Sequence, residues 1–219
     1  MKVLVACEFS GVVRRAFNAV PGCVAYSCDV LPCDDDNSQW HYRCDVRDIL
    51  HKGWDLMIAH PPCTYFTVAA AWALSDPDFV KYPGVGYHLR VKQGTLTGEA
   101  RRKAQTEQLE FVRELYNAPI PHIAIENPVG QLSTLWRKPD QIVQPWYFGD
   151  DASKSTCLWL KNLPPLTDTN RLPGDSKTRR ANQTPSGQNN LPPSSDRWKL
   201  RSTTYPGIAS AMAQQWGQS

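Results

Sequence analysis

The 219-residue sequence has no run of eighteen apolar residues and no leader-like start, so neither a membrane span nor a secretory signal is read in it. The expectation is a soluble, cytoplasmic chain with no membrane partner. It also lacks the C-x-x-C spacing of common zinc sites among Cys23, Cys28, Cys33 and Cys44, and Cys28 reads as the end of a strand, so no metal is expected. Seven cysteines are an odd number in a chain too long to need a disulfide framework, which points to reduced thiols. There is no internal repeat. The first glycine loop holds one glycine where a dinucleotide fingerprint holds three. Excess charge of either sign is small, the net being +3.

That small net charge conceals a division. Residues 90–103 and residues 167–201 each carry +4, which leaves −5 for the rest. Basic charge confined to two segments is the footprint of a polyanion partner, although two solvated basic loops would look alike. The candidate nucleic-acid contacts are Arg90, Lys92, Arg101, Arg102, Lys103, Arg179 and Arg180.

What is present is an alternation of short apolar runs and helical patterns, in a length that suits one domain with a sizeable core. Residues 2–7 read as a buried strand, Glu8-Phe9-Ser10-Gly11 as a turn, and residues 12–20 as a helix with Val13, Ala16, Phe17 and Val20 on one face. Residues 23–28 form a second strand ending at Asp29. A third ends at Cys44, before Asp45-Val46. The run Leu56–Ala59 is a fourth. It meets His60-Pro61-Pro62, where proline removes the ladder donor, so a stiff corner presents Cys63 just past the strand end. Residues 101–117 read as a helix and residues 120–125 as a strand stopping at Glu126-Asn127-Pro128. Residues 130–136 read as a short helix, and residues 141–148 and 155–160 as a strand pair around Gly149. Residues 163–202 are rich in Pro, Asn, Ser and Gly and read as loop or partly disordered. Residues 206–216 read as a closing helix. In an open α/β sheet, ligands sit at the carboxyl ends of strands, where these polar residues fall. Asp29 and Asp45 could also be plain helix caps.

Pro62-Cys63, with Phe66-Thr67 beyond it, followed by Glu126-Asn127 at a second strand end, resembles the cytosine-C5 DNA methyltransferases in order and spacing. The resemblance implies an α/β, Rossmann-like S-adenosylmethionine-dependent methyltransferase fold, a mostly parallel sheet with helices on both faces. It implies a Cys63 thiolate, its pKa lowered, adding to cytosine C6. Glu126 would be a carboxyl of raised pKa holding a proton at N3, and Asn127 would position the loop. Lys154 stands where the family has an Arg-x-Arg pair. S-adenosylmethionine would be held by Glu8, Phe9, Ser10, Gly11, Asp29, Asp45, Val46 and Pro61. The partner implied is DNA, as duplex with a flipped cytosine.

The family's target-recognition domain has no room here. The expected division is a catalytic part, 1–162, with a lid insertion at about 67–98; a basic loop-rich segment, 163–205; and a returning helix, 206–219. That describes a compact, phage-type member in a bacterial or phage-infected cell. The alternatives are the same chemistry on a free cytosine nucleotide or RNA, an amino-methyltransferase, and a non-catalytic nucleic-acid-binding relic.

Overall fold

The computed structural model describes residues 1–76, 78, 80 and 94–218. Arg90, Lys92 and much of the expected lid lie outside the described residues. The elements run β1 (Lys2–Ala6), α1 (Val12–Asn18), β2 (Val24–Asp29), β3 (His41–Arg43), β4 (Leu56–Ala59), α2 (Gly98–Tyr116), β5 (His122–Pro128), α3 (Leu132–Leu135), β6 (Gln141–Val143), β7 (Thr156–Lys161), α4 (Arg197–Ser202) and α5 (Pro206–Trp216). Short 3-10 turns lie between several of them.

The strands form one seven-stranded sheet in the order β3-β2-β1-β4-β5-β7-β6. Neighbours from β3 to β5 are parallel, and β7 runs against β5 and β6. The fold is the expected Rossmann-like α/β arrangement. Strand alternation explains the apolar runs. Val3, Val5, Leu56 and Ile58 belong to one core with α1 and α5, whereas Leu4, Ala6, Met57 and Ala59 belong to the other with α2. Buried on both faces, these strands need hydrophobic residues at every position rather than at every second one. The chain winds outward one way from β1 and the other way from β4. The crevice between their carboxyl ends is therefore the topological switch point.

Three differences from the sequence reading bear on the site and its surroundings. Residues 141–148 do not form one strand: β6 stops at Val143, because Pro145 opens a 3-10 turn, Pro145–Tyr147, and cannot donate to a ladder. β5 continues through Glu126, Asn127 and Pro128, since β7 reaches past the end of β4 and pairs with all three. The segment read as loop contains α4. No helix among the described residues is long and apolar enough to cross a membrane.

Candidate active site

Two strand ends, those of β4 and β5, meet beside the switch-point crevice. β4 ends at Ala59, paired with Ile125 of β5, so the corner His60-Pro61-Pro62-Cys63 begins where Glu126 protrudes one residue further along β5. The two are tied directly. Asn127 Nδ2 donates to Pro61 O at 2.8 Å, and His60 Nδ1 lies 3.1 Å from Glu126 Oε2. The segment beyond Cys63 is held by its carbonyls. Gln108 donates to Pro62 O, Arg101 to Thr64 O at 2.9 Å, Gln105 to Tyr65 O at 2.7 Å, and the Gln131 amide to Phe66 O at 2.7 Å. A Cβ on Gly130 would collide with Phe66 O, so glycine is needed there for the two loops to touch.

The electrostatics depart from the sequence reading at both reactive groups. Burial, and next the charge of Glu126, push the Cys63 thiol above its ordinary range, with Lys154 and Arg201 pulling the other way. Glu126 is expected to carry a raised pKa. Burial does press it upward, but the hydrogen bond from His60, the Lys154 charge and the Thr156 hydroxyl outweigh burial and leave it lowered. The crevice thus pairs an intact thiol with an ionised carboxylate. Lys154 does not reach into the pocket unoccupied: its Nζ donates to Arg201 O at 3.1 Å and Thr203 O at 3.4 Å.

Beside this corner lies a cleft of about 230 Å³, lined by Asp29, Asp45, Val46, Arg47, Pro62 and Phe111 together with three cysteines. Asp29, Asp45 and Val46 are among the residues expected to hold a cofactor; Pro62 takes the place expected of Pro61, whose carbonyl is occupied by Asn127. Burial holds the Asp29 carboxyl above its usual range, against the Leu31 amide that bonds it. The cleft's wall includes Cys7, at φ 58° and pushed up to about 12 by burial and by Asp29 and Asp45. Among the described residues no cluster of His, Cys, Asp or Glu is arranged to hold a metal. A larger cleft, about 420 Å³, opens at Met1, Lys2 and Asp55, on the amino-terminal edge of the sheet and away from every reactive group described here.

The first loop is used differently from the expectation. Glu8 accepts from the Val13 amide at 2.7 Å and the Arg14 amide at 3.2 Å, with Ser10 Oγ at 3.3 Å. Its carboxylate therefore occupies the amino end of α1 and takes up the partial positive charge there. The space above Gly11 (φ 67°) is filled by Arg14, Arg15 and Asp35. Phe9 is buried under Trp198, with ring centroids 5.6 Å apart. Glu8, Phe9, Ser10 and Gly11 do not line the cleft beside Pro62.

Two of the residues expected to meet DNA are turned inward. Arg101 is 5 % exposed and braces the Cys63 segment through Thr64 and Leu96. Arg180 is 5 % exposed, lies 3.7 Å from Asp151 and stacks over Trp146. Arg102, Lys103 and Arg179 are exposed. The sequence reading misses His60, Gln105, Gln108 and Arg201. Arg101, Gln105 and Gln108 fall at helical spacing, so a polar stripe on one face of α2 was the available signal.

The sequence matches no protein-family profile and no curated protein. Solved structures resemble it distantly. A candidate DNA modification methyltransferase encoded within a prophage of E. coli is 12 % identical with a TM-score of 0.40, over 76 % of this chain and 53 % of that one. The Entamoeba histolytica methyltransferase EhMeth is 12 % identical with a TM-score of 0.41, over 78 % and 57 %. This chain spans little more than half the length of either, and similarity at this level identifies no activity for it.

Proposed function

We propose that the protein is an S-adenosylmethionine-dependent methyltransferase acting on C5 of cytosine in DNA through a covalent bond from Cys63 to C6. The observation that carries the reading is the juxtaposition beside the switch point. A thiol and a carboxylate sit at the ends of adjacent parallel strands, tied by Asn127, beside a cleft with two aspartates. The cleft suits this cofactor by its charge. Asp29 offers an acceptor for ribose hydroxyls and Asp45 one for an adenine amino group. Neither the cleft nor the first loop offers an anion the free helix end that a phosphate-bearing cofactor uses, since Glu8 occupies it. When bound, S-adenosylmethionine supplies the methyl group and takes no part in the addition at C6.

The protonation states that burial and the neighbouring charges favour define how the residues divide the proton. Sγ bonds to C6 as its proton passes to the Glu126 carboxylate and on to N3, so addition conserves the proton and needs no preformed thiolate. His60, donating to Glu126, keeps the carboxylate ionised and ready to accept. After C5 has received the methyl group it gives up its proton to solvent water; the pair from that C–H bond restores the C5–C6 double bond as the C6–S bond breaks and its pair leaves on Sγ. The N3 proton then returns to Sγ by the same route. Asn127 and the α2 side chains keep Sγ in place throughout.

The test is covalent trapping on duplex DNA containing 5-fluorocytosine, because fluorine at C5 cannot leave as a proton does. A denaturation-resistant adduct that requires S-adenosylmethionine is expected. It should vanish in Cys63→Ser, whose hydroxyl is a far weaker nucleophile, and form more slowly in Glu126→Gln. Methylation that persists in Cys63→Ser would overturn the reading.

A further inference from the structure

Helix α4 is tied to Lys154, whose charge acts on both Cys63 and Glu126, and it is fixed at both ends. Lys154 Nζ holds the carbonyls of Arg201 and Thr203, at 3.1 and 3.4 Å. Towards its start, Trp198 packs on Phe9 and Lys199 pairs with Asp34 at 3.3 Å. Arg201 is near enough for its charge to act on the Cys63 thiol. Six residues make no stable helix in isolation, so these contacts hold it. The surface it turns outward is mixed: Leu200 is 60 % exposed, Trp198 is 51 % exposed and Arg201 is exposed, with Arg197 half-buried. Residues 197–202 contain three basic side chains and no acid. A single exposed leucine needs no explanation. A leucine and a tryptophan among three cations, pinned through Lys154 beside the thiol and carboxylate, form a surface suited to nucleic acid. Cations meet phosphates, and an apolar side chain wedges between base steps.

We infer that α4 is the element that grips duplex DNA at the target base: Arg197 and Arg201 take phosphates, and Leu200 enters the stack as the cytosine swings out towards Cys63. The inference rests on the DNA-directed reading above. A free cytosine nucleotide has neither a stack for Leu200 to enter nor a run of phosphates for two arginines, so the polymer is the occupant. This places the DNA-binding role of the residue 163–205 segment in α4 and not in Arg180, which is buried.

Two measurements on the full chain test it, with melting temperature confirming that each variant folds. First, duplex affinity is titrated against salt without cofactor. Arg197→Ala with Arg201→Ala should make the log–log slope shallower by about 1.8, about 0.9 for each phosphate deprived of its arginine. Secondly, trapping rates are compared for 5-fluorocytosine paired with guanine and for the same base opposite a mismatch. Leu200→Ala should slow trapping of the paired base about tenfold and of the mismatched base less than about twofold, since an unpaired base needs little help to leave the stack. An unchanged salt slope, or equal slowing on both duplexes, would overturn the inference. If the unaltered protein binds DNA but traps neither duplex, the methyl-transfer reading falls instead, and the salt slope alone decides the role of α4.

Discussion

Cys63 and Glu126 are shifted in opposite directions, and this sets the expected pH dependence. Burial raises the thiol above its ordinary 9.0, so the proton stays on sulfur through neutrality. His60 and Lys154 hold the carboxyl below its ordinary 4.5, so the charge persists well into acid. The pair that conserves a proton on addition, thiol plus carboxylate, is complete between those two values. Single-turnover trapping should therefore be nearly flat from about pH 5 to about pH 9, falling in acid as Glu126 protonates and changing in alkali as Cys63 ionises. Attack by a minor thiolate population would give a different profile, climbing about tenfold per pH unit through the neutral range. A rapid-quench series across that range separates the two, and a tenfold climb would remove Glu126 from the proton path.

At the level of elements, the first loop and α1 hold the clearest exchange of a functional expectation for a structural one. Both carboxylate oxygens of Glu8 are engaged by amides of the first turn, Val13 and Arg14, which have no intrahelical partner of their own. Glu8→Ala would leave two buried donors unsatisfied and should cost about 1–2 kcal/mol. Denaturant unfolding would read this as a lower midpoint at unchanged slope. Calorimetry should find S-adenosylmethionine affinity altered by less than about threefold when measured well below the melting temperature. A loss of affinity without a loss of stability would return Glu8 to the cofactor site. The same level explains α2, whose inner face is polar at its start and apolar further on. Arg101, Gln105 and Gln108 serve carbonyls near Cys63, and Leu109, Val112 and Leu115 fill the core.

Taken entire, the chain closes on itself through α5. This helix packs on α1 and on the β1 face, with Trp216 fully buried and its Nε1 donating to Pro164 O at 3.0 Å. The last element thus covers the face of the first, and it pins the start of the segment that leads to α4. Trp216→Ala should cost about 3–5 kcal/mol, as large buried aromatics do. Circular dichroism and trapping activity should be lost together in one transition. A variant that kept its helices but lost the adduct would mean that α5 positions α4 rather than stabilising the domain.

The strands and the end of β4 are legible in the sequence alone, whereas the reach of β5 through Pro128 is set by its pairing with β7. Short apolar runs without alternation, bounded by turn residues, read as strands buried on both faces, and Pro61-Pro62 had to end β4 before Cys63. The same is true of α5, whose bounds at Pro206 and Trp216 follow from the proline start and the apolar spacing. These are local features, written within a few residues of where they act. The polar partners, by contrast, are chosen by packing across the chain. Arg101 meets Thr64 across 37 positions, His60 meets Glu126 across 66, and Lys154 meets α4 across 47. A basic residue in a sequence is equally a ligand for phosphate or a brace for a buried carbonyl, because its choice depends on which unpaired groups the fold brings within reach. Protonation follows the same rule, since the thiol and carboxylate take their states from burial and from charges on other strands. So does α4, which is a helix only because Lys154, Phe9 and Asp34 hold it.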